Sequence, residues 1–530
     1  MEKSAHTVID VAGYLGNIQL RQWPQYVGTL LAGLTQLEIG IVMAFSAVLL
    51  PQLEADGVEV SPEHQSLLVS ITTAGIVLGC SLSTVLLRYM GPRRLMMLHS
   101  PPAAASWLLV AAASDVRLVI AGRLLVSFFN AVTLPCYQAY ICDVAVPRLR
   151  GRLSATPEVL CSLGVLIGYG VGSAVHWTHM AAILGVLPNV LIFAGFLWLP
   201  ESPSWLTAQL QFDEAAEAGR FYKGDDYPVE REIEAAARRA EKSERVTVRD
   251  VLRKMAHRET LLPILLVTGL FVFQILSGML AVLSYVVTIF QMAGTSLDEY
   301  MCAVIIGVTR LAANVLASGF ADRFGRRTLL IGSSLMSALS LATLGAYFWA
   351  QQRGQLASAD SLGWVPVTAL ILYMAAANFG IGPVTWMAMG ELVPASVSSV
   401  ANGAILLVWG AVYFGVLQAF PYLTRWLGAH GTFWAFAACC AALAAFAALL
   451  LPETRGLELH QVETLFARRP PTDASQDKKA DDLRAVRPRR EPLPVQRNAL
   501  QLDGQQVQEL RQVRRRTESC TAEFRTPAAN

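Results

Sequence analysis

Long apolar stretches separated by polar gaps recur from near the start of the chain to about residue 451. Each is close to the roughly 20 residues that an α-helix needs to cross the hydrocarbon core of a bilayer. The pattern predicts about twelve spans, at 26–50, 65–87, 95–113, 117–141, 154–175, 181–199, 261–290, 299–320, 328–350, 363–389, 400–423 and 432–451. Helix-breaking residues interrupt the seventh at Ser277-Gly278 and the tenth at Gly380 and Gly382-Pro383. Inside a membrane such breaks survive where the backbone lines a cavity or packs on protein.

The polar gaps are unequal. Only 201–260 is long, and its Ala, Glu and Arg content around 212–240 predicts short surface helices. Beyond about 465 the chain is polar and rich in Pro and Gln, and it reads as disordered. Its Arg514-Arg515-Arg516 run reads as a solvated stretch, with contact to anionic lipid as the alternative. The expected organisation is a cytoplasmic N-terminus at 1–25, a six-helix bundle at 26–200, a cytoplasmic loop at 201–260, a second six-helix bundle at 261–464 and a tail at 465–530.

Composition agrees with the pattern. Hydrophobic residues make up 54% of the 530, charged residues 15%, and the mean hydropathy is +0.44. So few charges could not solubilise so much apolar surface in water. A formal charge of +2 gives no footprint for nucleic acid. Most of the eight cysteines sit inside apolar runs without metal spacing, so they read as small hydrophobes and no metal site is expected. The N-terminus lacks the pattern of a cleaved signal peptide.

Arginines fix the expected orientation. Arg88, Arg93 and Arg94 follow span two, Arg148, Arg150 and Arg152 follow span four, and Arg323, Arg326 and Arg327 follow span eight. By the positive-inside rule these loops, the long central loop and both termini face the cytoplasm.

The chain is also internally duplicated. Leu199-Pro200-Glu201-Ser202-Pro203 ends span six, and Leu451-Pro452-Glu453-Thr454 ends span twelve. Gly91-Pro92-Arg93-Arg94 answers Gly325-Arg326-Arg327, and Asp143 with Pro147 answers Glu391 with Pro394. Matches in register imply two homologous halves able to rock about a central site.

These strings carry a family resemblance. Asp322-Arg323-Phe324-Gly325-Arg326-Arg327, Gly122-Arg123, Pro200-Glu201-Ser202-Pro203, Gln274 with Leu276-Ser277-Gly278, Gly382-Pro383 with Trp386, and Pro452-Glu453-Thr454-Arg455-Gly456 all occur along 28–464. The sequence resembles the sugar-porter branch of the major facilitator superfamily, within it the arthropod trehalose carriers and intracellular-type glucose carriers. The resemblance implies an all-α fold of twelve membrane helices in two pseudo-symmetric six-helix bundles, acting as a monomer in a lipid bilayer, without cofactors. It implies solute contacts from Gln274, Tyr285, Asn378, Trp386 and Trp409, since amides offer sugar hydroxyls both donor and acceptor. It assigns Asp143, Arg150, Glu201, Asp322, Arg326, Arg327, Glu391 and Glu453 to a cytoplasmic gate, where carboxylates and guanidiniums pair between the halves.

The pattern frays at the pocket. Ile275, Leu280 and Val408 stand where the family commonly has amides, Glu158 where it often has Gln, and Arg310 where it often has Asn or Gln. Charges in mid-span are normally paired or functional. Glu158 and Arg310 are therefore expected to neutralise one another across the cavity as part of the substrate site, admitting an anionic or zwitterionic solute or gating the pathway, with a static buried pair as the alternative. Glu38 is a further intramembrane acid and a candidate proton site. The carboxylate of proton-coupled relatives falls at Ala44, so downhill transport is favoured over coupling. Arg88, Ser204 and Ser398 replace expected gate partners, which predicts a shift toward inward-facing states.

The expected function is transport of a small polar solute, a hexose or trehalose, in the plasma membrane. The alternatives are a charged solute in the same fold, or a nutrient sensor that does not transport. No phosphate-binding loop, zinc-protease helix or nucleophile elbow is present, so an enzyme is not expected.

Overall fold

The computed structural model describes residues 21–58, 60–87, 89–234, 253–255, 257–295, 297–320, 325–354, 362–394 and 397–453. Arg88, Asp322, Arg323, most of the second half of the central loop and the tail with its Arg514–Arg516 run lie outside the described residues. Among those described, every regular element is a helix. The first half comprises α1 (Trp23–Ala55), α2 (Pro62–Leu86), α3 (Pro92–Leu98), α4 (Ser100–Ala111), α5 (Val116–Ala131), α6 (Leu134–Val144), α7 (Pro147–Gly172) and α8 (Trp177–Trp198). Two short helices follow, α9 (Pro203–Ala208) and α10 (Phe212–Lys223). The second half comprises α11 (Arg258–Leu276), α12 (Met279–Ser284), α13 (Val286–Ala293), α14 (Glu299–Phe320), α15 (Arg326–Gln352), α16 (Trp364–Ala376), α17 (Gly382–Leu392), α18 (Ser398–Trp426) and α19 (Gly428–Leu450).

Eleven helical segments among the described residues are long and apolar enough to cross a membrane. The third expected span is divided into α3 and α4, each too short to cross alone. Pro101 and Pro102 divide it, yet the hydrogen-bond ladder runs on through the joint, from His99 N to Leu95 O and from Ala103 N to His99 O, both 3.0 Å. Together they complete twelve crossings, and the protein is an integral membrane protein.

The two sequence breaks have distinct local causes. Gly278 sits at φ +83 between α11 and α12, and an added Cβ would lie 2.5 Å from the Phe436 ring. Only glycine meets both demands cheaply. In the tenth crossing Gly382 N bonds to Ala377 O, a π-type step that widens one turn over Ala377–Ile381. Close backbone packing holds crossings one and five together. A Cβ on Gly40 would collide with Cys161 O, and one on Gly164 with Leu37 O.

The halves meet through α2 against α18 and α7 against α14. These are crossings two with eleven and five with eight. Exchanging the halves turns one pair into the other, so the duplication seen in the sequence is also a symmetry of the contacts. On the arginine-bearing face, α10 is tied to the first bundle. Tyr222 and Tyr140 share a hydroxyl bond of 2.5 Å, and Gln25 spans Tyr222 O at 3.1 Å and Val146 N at 3.0 Å.

Candidate functional site

The face opposite the arginines is sealed between the halves. Ser70 on α2 donates to Gln418 Oε1 on α18 at 2.6 Å, and Gln418 Nε2 donates to Ser66 at 2.8 Å. Tyr169 on α7 donates its hydroxyl to Leu283 O on α12 at 2.6 Å. Tyr285 belongs to this seal. Its hydroxyl reaches Leu417 O at 3.3 Å and its ring stacks on Phe420 with centroids 4.7 Å apart.

Beneath the seal lies the pair expected from sequence. Arg310 Nη2 on α14 meets Glu158 Oε1 on α7 at 3.3 Å, which joins the two halves. Arg310 also reaches Cys161 Sγ at 3.7 Å and Met43 Sδ at 3.9 Å. Sequence reasoning missed Asn314, whose Nδ2 reaches Glu158 Oε1 at 3.4 Å and Ser162 Oγ at 2.6 Å. Asn314 lies one helical turn beyond Arg310, so the i, i+4 spacing was the available signal.

Solvation of the pair is lopsided. The Arg310 side chain is 4% exposed and that of Glu158 59%. A carboxylate that open in mid-helix does not face hydrocarbon, because lipid offers it nothing. It therefore faces an aqueous cavity. The second half supplies an aromatic wall: Phe271, Trp386, Trp409 and Tyr413 touch in sequence, with successive ring centroids 5.0, 6.3 and 5.3 Å apart. Trp386 is 46% exposed. Tyr413 shares a small cavity with Met43, the residue that touches Arg310, so the wall and the pair border one region. Gln274 is buried and its Oε1 has no hydrogen-bond partner among the described residues, as is so for Oδ1 of Asn402. Asn378 differs from expectation: its amide donates to Met374 O, at 2.7 Å on its own helix.

Glu38 is fully buried and accepts from Trp107 Nε1 at 2.9 Å and Asn189 Nδ2 at 2.7 Å. Those bonds hold it against crossings three and six of its own half. Arg123, quoted above only as part of a motif, is also buried, bonded through Nε to Leu68 O at 2.7 Å and through Nη2 to Ser46 Oγ.

The gate residues repeat one construction in each half. Glu201 receives the backbone N–H of Arg93 at 2.9 Å and of Arg94 at 3.2 Å. Glu453 receives those of Arg326 at 3.0 Å and Arg327 at 3.2 Å. Each carboxylate thus caps the first turn of a helix, α3 or α15. An added Cβ on Gly91 or Gly325 would run into that carboxylate, which explains why both strings carry glycine. The described bonds of these acids run within each half, whereas the sequence reading expected pairs between halves. Asp143 takes Ser204 N at 2.8 Å and the hydroxyls of Ser202 and Ser204, so Ser204 supplies a bond where an arginine was expected. Arg326 Nη2 meets Glu391 at 3.4 Å, and Arg150 stands exposed on α7.

Two six-crossing bundles that meet through symmetry-related helix pairs are the fold expected from the resemblance to the major facilitator superfamily. Within that class, residues 24–466 match the model described as "Sugar (and other) transporter", and the chain belongs to that family. The facilitated trehalose transporter Tret1 of Aedes aegypti is 30% identical over 445 residues, which cover 83% of this chain and 55% of that protein. The Tret1 of Drosophila erecta is 31% identical over 445 residues, 83% of this chain and 52% of the relative. The chain thus spans about half the length of these two relatives. The Tret1 of Culex quinquefasciatus is 29% identical over 443 residues, which cover 83% of this chain and 85% of that protein. Among solved structures, the inward-open conformation of the xylose transporter XylE from E. coli aligns with a TM-score of 0.70 at 20% identity, over 84% of this chain and 100% of that one. At that identity the likeness speaks for the fold.

Proposed function

We propose that the protein carries a sugar, a hexose or trehalose, across the membrane by alternating access, downhill and as a monomer. The observation that carries the reading is the cavity between the halves. It combines an exposed indole, suited to the apolar face of a sugar ring, with an open carboxylate, suited to hydroxyl donors. The relatives, facilitated trehalose transporters, support the same class of solute. Downhill transport is favoured by Ala44, fully buried where coupled relatives carry an acid, and by Glu38, whose bonds hold it inside its own half.

The arginine-bearing loops support a cytoplasmic position for their face and for both termini, and the plasma membrane is the membrane we propose. In that orientation the seal lies outside, and the open carboxylate belongs to an inward-facing state. The gate acids Asp143, Glu201, Glu391 and Glu453, with Arg150, Arg326 and Arg327, then order the helix ends that approach when the inner side closes.

The test is counterflow in proteoliposomes with trehalose, hexoses, polyols and organic acids, with and without an imposed pH gradient. Saturable exchange of one neutral sugar, unchanged by the gradient, is expected. Accumulation driven by the pH step refutes downhill transport, and exchange of none of the panel refutes the carrier reading.

A further inference from the structure

Charge is distributed unevenly around the cavity. The one acid there with open surface, among the described residues, is Glu158, and its cation is hidden behind it. Both bonds that Glu158 receives, from Arg310 and Asn314, fall on Oε1. Oε2 carries neither of them, on a side chain that is 59% exposed. Arg310, by contrast, is buried, with its Nη atoms directed at Glu158, Cys161 and Met43. A solute in the cavity reaches the carboxylate without reaching the guanidinium. Tyr137 and Cys161 also lie near the acid, and neither brings a positive charge.

We propose that this cavity selects solutes by charge, and that its best ligands are polyhydroxylated molecules bearing a protonated amine, such as amino sugars. Neutral sugars rank next and sugar acids last. An ammonium at Glu158 Oε2 makes a charge-assisted bond, roughly twice as strong as that of a neutral hydroxyl. A sugar carboxylate brings like charge to the same atom while the Arg310 guanidinium stays buried behind it, so it is rejected by repulsion and by desolvation without compensation. The neutral Gln that the family often carries at this position has no such preference. The proposal rests on the carrier reading above.

The experiment uses the full chain in proteoliposomes, with D-glucosamine, D-glucose and D-glucuronate as competing probes at a pH where the amine is protonated. The expected order of half-inhibitory concentrations is glucosamine below glucose below glucuronate. Steps of roughly tenfold follow from the strength of a charged hydrogen bond. In Glu158→Gln the ratio of glucosamine to glucose is expected to collapse toward one, and Glu158→Asp restores it. Ratios are independent of how much protein folds. Glucose that competes while glucosamine gains nothing over glucuronate overturns the charge proposal and leaves the carrier standing. Competition by none of the three, in vesicles that exchange no sugar of the wider panel, overturns both.

Discussion

Removing the Glu201 carboxylate is the sharpest test of how the bundle ends are built. The acid is 7% exposed and receives the N–H groups of Arg93, Arg94 and Ser202 at 2.9, 3.2 and 3.0 Å. Glu201→Ala leaves these donors without an acceptor at a site too enclosed for full hydration. Loss of an N-cap costs about 0.5–2 kcal/mol, and a charge-assisted bond about 1.5–3 kcal/mol. Because the three bonds share one group, the sum is capped at about 2–4 kcal/mol. Glu453 makes the same two bonds at Arg326 and Arg327 but is exposed. Water replaces it there, so Glu453→Ala is expected to cost about 1 kcal/mol or less. The assay is thermal unfolding of the detergent-solubilised protein followed by size-exclusion chromatography. Gly91→Ala belongs in the same series, since its Cβ would run into the Glu201 carboxylate. It is expected to destabilise, and to add little once Glu201 is gone. A Glu453→Ala cost equal to that of Glu201→Ala, or a full additional cost of Gly91→Ala in the Glu201 variant, contradicts a carboxylate cap of this kind.

Three further outcomes are expected. Glu158→Gln and Arg310→Gln, measured singly and together by sugar exchange, should show coupling of about 1–2 kcal/mol, since the pair stands at 3.3 Å; simple addition of the losses contradicts a working pair. Gly278→Ala combines the left-handed backbone cost of about 1–2 kcal/mol with an approach of 2.5 Å to Phe436, and should reduce the folded yield far more than Gly332→Ala, where nothing lies within 4 Å. The Asp56 carboxyl, at the end of α1, is held below its ordinary range by bonds from Trp177 and His176. A depressed pKa contributes stability above the unfolded value, lost as pH falls through the folded one, so Asp56→Asn should melt earlier than the parent at about pH 6 and the gap should close toward about pH 3. An unchanged gap contradicts that linkage.

Much of the architecture was legible because a bilayer demands it. Runs of about 20 apolar residues have few uses besides crossing, and the twelve stretches map onto twelve crossings. The helix ends were less legible. α7 starts at Pro147, well before the expected span, because Arg148, Arg150 and Arg152 extend the helix beyond the apolar stretch. Hydropathy marks lipid depth, not helix ends. The Glu158–Arg310 contact was legible because opposite charges in mid-membrane must find each other. Its asymmetry of exposure was not, since that depends on how α7 and α14 turn relative to the cavity. The gate acids stand at the expected helix ends, and their bonds to helix N-termini within each half were not legible. A string such as Pro-Glu-Ser-Pro says that a carboxylate is needed, not whether a guanidinium or a helix N-terminus receives it.

The central claim is that the two halves must part at the Ser70–Gln418 seal for solute to cross. Its most direct measurement uses the double variant Ser70→Cys with Gln418→Cys. A short bifunctional thiol reagent, cleavable by reduction, bridges the two introduced thiols across the seal. Sugar exchange should stop when the bridge forms and return when it is cleaved. Exchange that continues at full rate across a quantitatively formed bridge would contradict alternating access at this site.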